Sequence, residues 1–268
     1  MSAAVETLSL EAKVAIVTGA GRDSGIGAAI ATALARNGAA VAINYFSDST
    51  APSAQAVADR LKTEYGARAV PIQANVETEE GAAALVEKTL AAFGVDHVDI
   101  LVNNAGCNLP GSTDDTPWDN IEAQFSKNVY AAVRVVRAAL PHIPRGGRIV
   151  NISTIASRYW IEGLTFYGAA KAALDSLTQS WAAEFGRKYG VTVNSVAPGP
   201  IDTDESRKFA RDNPNGHKAM QDLIDVTRAA DRMGQVEDVA DAVLLLAQEK
   251  SRWITGQYID TSGGIVGH

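Results

Sequence analysis

The chain has 268 residues, of which 46% are hydrophobic and 21% are charged. This balance is typical of a globular protein and excludes a disordered or collagen-like chain. The formal net charge of −7 argues against nucleic acid or an anionic membrane as a partner, because both attract basic surfaces.

The single cysteine, Cys107, excludes an intrachain disulfide and favours a reducing compartment. No apolar run approaches the roughly 18 residues of a transmembrane helix. The first residues also lack the basic-then-apolar order of a signal peptide. We therefore expect a cytoplasmic protein.

Short apolar runs alternate with helical stretches along the chain. The pattern predicts strands at residues 14–17, 40–43, 69–72, 100–102, 149–152, 191–196 and 258–260, and helices at 25–37, 53–65, 78–93, 118–140, 164–189 and 236–248. Strands that alternate with helices indicate βαβ units. They predict an α/β fold with a doubly wound parallel sheet of about seven strands and helices on both faces. Because no linker interrupts the alternation, we predict a single domain over residues 1–268.

One segment departs from the alternation. Residues 202–232 are polar, include Asn213-Pro214-Asn215-Gly216 and contain no strand pattern. A long connection of this kind is typical of a functional loop. We therefore predict a helical substrate lid at about 202–232.

A glycine-rich turn follows the first strand and opens the first helix. It begins at Thr18-Gly19 and ends at Gly25-Ile26-Gly27, with Ala20-Gly21-Arg22-Asp23-Ser24 between. Glycines at a strand-to-helix turn let the backbone approach a pyrophosphate, which the N–H groups and dipole of the helix N-terminus favour. The turn therefore predicts nucleotide binding.

This turn resembles that of the short-chain dehydrogenase/reductase family, Thr-Gly-x-x-x-Gly-x-Gly. Two more residues than in the family separate Gly19 from Gly25; alternatively, Gly21 takes the role of the first glycine. Further motifs occur in the family's order. They are Asn103-Asn104-Ala105-Gly106, Asn128, Ser153-Thr154, Tyr167-x-x-x-Lys171, Pro198-Gly199-Pro200-Ile201-Asp202-Thr203 and Gly263-Gly264. The resemblance covers nearly the whole chain. It is nearest to 3-oxoacyl-carrier-protein reductases and ketoreductases of secondary metabolism, and it implies a Rossmann-type fold.

The candidate catalytic residues are carried by the same resemblance. Tyr167 and Lys171 are four apart and share one helix face. The resemblance implies that Tyr167 exchanges a proton with the substrate oxygen and that Lys171 lowers its pKa and binds the cofactor ribose. It also implies that Asn128 holds a water that links Lys171 to solvent. A free tyrosine has a pKa of about 10, and lowering it by ~3 units requires ~4 kcal/mol. A nearby ammonium and an oxidised nicotinamide can supply this energy.

The substrate-oxygen donor is a serine in the family, and by spacing it falls on Thr154. Threonine keeps the hydroxyl, although its methyl group narrows the pocket and restricts χ1. Ser153, one residue before, is the alternative.

The end of the second strand bears on the choice of cofactor. An acidic residue there would bind the ribose hydroxyls and repel a 2′-phosphate, but this chain has Tyr45. Arg22 can pair with a 2′-phosphate, helped by Asn44, Ser47 or Ser49. We therefore favour NADP(H) over NAD(H), with a solvated Arg22 as the alternative.

The remaining cofactor contacts follow from the resemblance. The predicted cofactor-binding residues are Gly19, Arg22, Ser24, Gly25, Ile26, Gly27, Tyr45, Asn75, Val76, Asn104, Ala105, Gly106, Tyr167, Lys171, Pro198, Gly199, Ile201 and Thr203. The four histidines show no metal-ligand spacing, so we predict no metal site. Cys107 is interpreted as a pocket-wall residue. Tyr159, Trp160 and Phe166 either line an apolar pocket or pack between helices.

Together these motifs predict an NADPH-dependent oxidoreductase that interconverts a ketone and a secondary alcohol, with Tyr167 as general acid/base. The expected substrate is a small, apolar carbonyl or alcohol compound, and the resemblance implies a homotetramer or homodimer. Two alternatives stay open: a non-catalytic NADP(H)-binding redox sensor, and a cofactor-holding isomerase or cyclase on the same scaffold. A sensor would have no reason to combine Tyr167, Lys171, Asn128 and a hydroxyl at 154, so we favour the enzyme.

Overall fold

The computed structural model describes residues 9–212 and 215–265. Within them, seven strands form one sheet in which every neighbouring pair is parallel, in the order β3-β2-β1-β4-β5-β6-β7. The strands are β1 (Val14–Val17), β2 (Ala40–Tyr45), β3 (Ala69–Gln73), β4 (Ile100–Asn103), β5 (Arg148–Ile152), β6 (Thr192–Pro198) and β7 (Tyr258–Thr261). The predicted seven-stranded parallel sheet is confirmed.

Helices cover both faces of this sheet. They are α1 (Ile26–Arg36), α2 (Ala51–Tyr65), α3 (Glu79–Phe93), α4 (Trp118–Phe125), α5 (Ala131–Ala139), α6 (Thr165–Tyr189), α7 (Asp204–Asp212), α8 (Gly216–Asp225) and α9 (Val236–Ala247). Buried residues of α1, α2 and α9 form a core on one face, and those of α3, α5 and α6 form a core on the other. Strands β1, β4, β5 and β6 are buried throughout. Burial on both faces explains why β1 is an unbroken apolar run and why most residues of β4 are apolar.

The helix predicted at 118–140 is interrupted, which corrects the sequence interpretation. A π-helical turn, Ser126–Tyr130, separates α4 from α5, and a short 3-10 turn, Leu140–His142, follows. The Asn128 side chain donates to the Gln124 carbonyl at 2.9 Å. In a regular α-helix that carbonyl accepts from the backbone N–H of residue 128. The Asn128 side chain thus occupies a carbonyl that the backbone hydrogen bonds of a regular α-helix would use. Single π-helical turns of this kind are frequent at functional sites.

The polar segment at 202–232 contains α7 and α8, and its two ends lie side by side. Ile201 and Gly234 form a parallel bridge. Asp202 N–H donates to the Gly234 carbonyl at 2.8 Å, and Gly234 N–H donates to the Pro200 carbonyl at 2.9 Å. The segment therefore leaves and rejoins the rest of the fold at one point. Asn213 and Pro214, part of the predicted loop, lie outside the described residues.

Among the helices that the structure describes, none combines the length and the apolar character needed to span a bilayer.

Candidate active site

The sheet order determines where the site lies. The chain moves outward from β1 through β2 to β3, then returns to place β4 on the other side of β1. Ligands of doubly wound folds bind in the crevice at this reversal, beside the carboxyl ends of the strands. The segments predicted from the sequence all follow strands at this edge. They are the glycine-rich turn after β1, Tyr45 in β2, Asn75 after β3, 104–106 after β4, Thr154 after β5 and 198–203 at the end of β6.

The glycine-rich turn is locked to the segment that follows β4. Gly19 has a φ of +63°, which favours glycine, and a Cβ on it would lie 2.9 Å from the Ala105 Cα. The Asn104 Nδ2 donates to the carbonyls of Thr18 and Gly19 at 2.8 and 3.1 Å. The Thr18 Oγ1 accepts from the N–H groups of Asn104 and Ala105 at 2.9 Å each. These contacts hold the backbone at Gly19 against the segment that follows β4.

The two additional residues of the turn carry it toward the end of β2. A Cβ on Gly21 would lie 2.6 Å from the Tyr45 Cβ, so the backbone passes directly over Tyr45. Asp23 is held to α2, because its carboxylate accepts from Arg60 at 2.8 Å and its N–H donates to Ser53 Oγ at 3.2 Å. Arg22 therefore leaves the backbone at the corner where the ribose was expected.

The turn fits a dinucleotide pyrophosphate. Within the described part of the chain, no side chain caps the N-terminus of α1, and its first turn contains no acidic residue. The first N–H groups of a helix need acceptors, and an anion can supply them. An open helix N-terminus beside glycines that leave no room for a Cβ is what a pyrophosphate requires.

The predicted role of Asn44 at this corner is wrong. Its side chain is buried and binds only backbone: Oδ1 accepts from Gly19 N–H at 3.2 Å, and Nδ2 donates to the Ala74 carbonyl at 3.1 Å. It joins the glycine turn to β2 and β3 and has no capacity left for a phosphate. The hydroxyls of the half-buried Ser47 and the exposed Ser49 lie 2.8 Å apart just after the end of β2.

Tyr167 and Lys171 lie in the first two turns of α6. The Lys171 Nζ is 5.9 Å from the centre of the Tyr167 ring and donates to the Ile152 carbonyl at 2.8 Å. Only 4% of Lys171 is exposed. This burial lowers its pKa to about 8, although the negative charge of Asp175 acts in the opposite direction.

Thr154 is the hydroxyl that meets Tyr167. Burial raises the pKa of Tyr167 to about 12, and a hydrogen bond with the Thr154 side chain partly offsets this rise in the pKa. The Thr154 Oγ1 also accepts from Ala156 N–H at 3.3 Å. The Thr154 carbonyl accepts from the Tyr258 hydroxyl at 3.2 Å and from Ser157 Oγ at 2.9 Å. Thr154 is thus held from two sides.

Ser153, the alternative donor, is buried and faces a different group. Burial raises the pKa of the Asp175 carboxyl, while the hydroxyls of Ser157, Ser153 and Ser195 act to lower it. Asp175 was not among the predicted site residues. Its place four residues after Lys171, among apolar neighbours, was the available indication that it lies on the same buried side of α6.

Asn128 fixes the segment that follows β4. Its Nδ2 donates to the Cys107 carbonyl at 2.8 Å and its Oδ1 accepts from Cys107 N–H at 3.2 Å. Gly106 lies between Asn128 and Lys171: a Cβ there would come within 2.4 Å of Asn128 Oδ1 and 3.4 Å of Lys171 Nζ. Burial raises the pKa of the Cys107 thiol, which suits a neutral residue of the pocket wall.

Other predicted positions are near the crevice but are engaged locally. The Asn75 Oδ1 accepts from Glu77 N–H at 3.0 Å, and the neighbouring Val76 is buried. Ile201 is buried, and Thr203 immediately precedes α7, where its Oγ1 accepts from Ser206 N–H at 3.2 Å. Trp160 is 96% exposed, so it does not pack between helices in this chain.

Two acids of α7 reach the glycine-rich turn. The Arg22 guanidinium donates to the Glu205 carboxylate, and the Ser24 hydroxyl donates to the Asp204 carboxylate. Sequence reasoning missed both acids, because they are far from the turn along the chain and no local pattern indicates the contact.

Comparison with known proteins agrees with this geometry. A family model described as enoyl-(acyl carrier protein) reductase matches residues 19–266. The short-chain dehydrogenase/reductase FrzI of a Cladobotryum species is 40% identical over 262 residues, which cover 96% of this chain and 97% of the relative. The chain belongs to the short-chain dehydrogenase/reductase family. It is an oxidoreductase that uses a nicotinamide cofactor and acts on a small molecule.

Solved structures with the same fold contain the expected kind of cofactor. A blue fluorescent protein from a metagenomic library, in complex with NADPH, has a TM-score of 0.86 and 37% identity, and the match covers 97% of this chain and 100% of that one. The angucycline C-6 ketoreductase LanV with bound NADP has a TM-score of 0.86 and 33% identity, with 96% of each chain covered. The predicted family, fold and enzyme class are confirmed.

Proposed function

We propose that this enzyme is an NADPH-dependent reductase that interconverts a ketone and a secondary alcohol. The observation that carries the proposal is the convergence of Thr154, Tyr167 and Lys171 at one edge of the crevice. The Thr154 hydroxyl lies close enough to Tyr167 to lower its pKa, and the Lys171 ammonium lies 5.9 Å from the centre of the Tyr167 ring. The bound cofactor supplies or accepts the hydride at the carbonyl carbon.

The protein's part is to hold the substrate oxygen and to move its proton. With a pKa of about 12, Tyr167 is protonated at neutral pH, which is the form that can donate to a ketone oxygen. The Thr154 hydroxyl provides a second hydrogen bond to that oxygen. As Tyr167 gives up its proton, the Lys171 ammonium stabilises the phenolate that forms. Alcohol oxidation uses the same groups in reverse.

The preference for NADP(H) rests on the corner at the end of β2. The residue there is Tyr45 and not an acid, and Gly21 passes over its Cβ. Arg22 follows Gly21 in the turn, and the hydroxyls of the half-buried Ser47 and the exposed Ser49 lie just after the end of β2. A guanidinium with hydroxyl donors suits a 2′-phosphate. The NADPH and NADP bound to the two structural relatives support this choice.

We further propose that 202–232 serves as the substrate lid of a single domain. The adjacent ends at Ile201 and Gly234 and the contacts of α7 with the glycine-rich turn support a unit that sits over the crevice. A homotetramer or homodimer, an apolar substrate and a cytoplasmic location stay predictions.

The first experiment measures the loss of NADPH absorbance with a panel of ketones and quinones, with NADH run in parallel. We expect turnover of at least one ketone and a higher kcat/KM with NADPH than with NADH. Tight NADPH binding without turnover of any compound would favour a redox sensor. Equal or better activity with NADH would contradict the assigned preference.

The pH dependence of ketone reduction follows from the burial of Lys171. Its pKa of about 8 lies well below the usual ~10.4 of lysine, so the ammonium is lost at moderately alkaline pH. We expect kcat/KM to be level below about pH 7 and to fall about tenfold per pH unit above about pH 8, because kcat/KM reports groups of the free enzyme.

A matched variant identifies the group responsible. In Lys171→Arg the side chain stays charged across this range. Its residual activity should therefore show no decline near pH 8, although it will be lower throughout. A wild-type profile that is level to about pH 10 would contradict the role of Lys171.

A further inference from the structure

Two groups that the turn offers to the cofactor's phosphates are bound to carboxylates in this structure. The Arg22 guanidinium pairs with Glu205, and the Ser24 hydroxyl donates to Asp204. Both acids lie in the first turn of α7, the helix that begins the 202–232 segment. A carboxylate and a phosphate bind the same donors, since both present charged oxygens to N–H and O–H groups.

The position of these acids is determined by the start of α7. Thr203 N–H donates to Ser206 Oγ at 2.9 Å, and Ser206 N–H donates back to Thr203 Oγ1 at 3.2 Å. Arg207 binds the carboxylates of Asp202 and Asp204 at 2.7 and 2.9 Å. The negative charge of Glu205 also acts to raise the pKa of Tyr167.

We propose that Asp204 and Glu205 form an acidic latch that occupies the phosphate-binding groups of the turn in the cofactor-free enzyme. Glu205 competes with the 2′-phosphate for Arg22, and Asp204 competes with the pyrophosphate for Ser24. The inference rests on the proposed function, in which Arg22 and Ser24 bind the cofactor. It makes Glu205 a specificity-determining residue: by holding Arg22, it lowers the preference of the enzyme for NADP(H) over NAD(H).

The exposure of the pair fits a contact that a ligand can replace. The side chains of Arg22 and Glu205 are 67% and 77% exposed, and ion pairs in water are weak. A 2′-phosphate carries more charge than one carboxylate and can take the guanidinium from it. NADP(H) binding therefore opens the Arg22–Glu205 link, and NAD(H), without that phosphate, leaves it closed.

The test is isothermal titration calorimetry of Glu205→Gln with NADP⁺ and with NAD⁺. Glutamine keeps the size of the side chain and removes its charge. Since an exposed ion pair is a modest competitor, we expect the Kd for NADP⁺ to fall about two- to fivefold. The Kd for NAD⁺ should change by less than about twofold, because NAD⁺ does not compete for Arg22.

Asp212→Asn is the matched control. Asp212 lies at the other end of α7, where it pairs with Arg211 at 3.3 Å, and its loss changes the net charge by the same amount. An unchanged or weaker affinity of Glu205→Gln for NADP⁺ overturns the latch. The latch is also overturned if Asp212→Asn gains as much affinity for NADP⁺ as Glu205→Gln does. It is overturned too if Glu205→Gln gains as much affinity for NAD⁺ as for NADP⁺.

The two proposals fail in different ways. A wild-type enzyme that binds neither dinucleotide would overturn the proposed function and the latch with it. Wild-type binding that Glu205→Gln leaves unchanged would overturn the latch alone.

Discussion

Replacing Tyr167 with phenylalanine is expected to lower kcat for ketone reduction about 10²–10⁴-fold, the usual contribution of a general acid. The ring and its packing at the start of α6 remain, and only the hydroxyl beside Thr154 is lost. The Kd for NADP⁺ should therefore stay within about threefold of the wild-type value. Steady-state kinetics with the best ketone, together with calorimetric titration of NADP⁺, measure the two effects.

The control for Tyr167→Phe is the same substitution at Tyr189, the last residue of the same helix. Tyr189→Phe should retain wild-type turnover. If turnover of Tyr167→Phe stays within about tenfold of wild type, Tyr167 is not the general acid.

Replacing Thr154 with valine is expected to lower kcat about 10²–10³-fold, the usual cost of losing one hydrogen-bond donor to a developing oxyanion. Valine nearly preserves the shape of threonine. Because the Thr154 Oγ1 also accepts from Ala156 N–H, the loss of this cap should lower stability by about 1 kcal/mol. Thermal unfolding separates that effect from the effect on rate.

Two further variants make the Thr154 result specific. Thr154→Ser restores the hydroxyl and should retain most of the activity, with room for bulkier ketones. Ser153→Ala should lower the activity only slightly, because Ser153 faces Asp175. If Ser153→Ala is inactive while Thr154→Val is active, the donor to the substrate oxygen is Ser153 and not Thr154.

The fold was predictable because its strands are covered on both faces. The buried strands Val14–Val17 and Ile100–Asn103 are apolar in all but one of their residues, and the alternation of strands with helices leaves few topologies open. The π turn at Asn128 was not predictable. The Asn128 side chain donates to a carbonyl of its own helix. This bond leaves the apolar periodicity of the neighbouring residues unchanged, and that periodicity is what predicts a helix.

The site was predictable only where residues act within a local motif. The spacing of Tyr167 and Lys171 and the glycines of the turn carry their geometry in adjacent sequence. The environment of Asn44 depends on β3, and that of Arg22 on α7. Such contacts join segments that are distant along the chain, and no pattern within a single sequence indicates them.

The bridge between Ile201 and Gly234 has a consequence for how such enzymes diverge. Because the two ends of the intervening segment are already paired, its length can change at little entropic cost and without strain on β6. If this segment is the substrate lid, as proposed, substitutions and insertions there would alter which molecules enter, while the sheet and the proposed proton-transfer groups stay as they are. A library confined to this stretch would vary substrate range as an independent module, much as antibody loops vary on a constant framework.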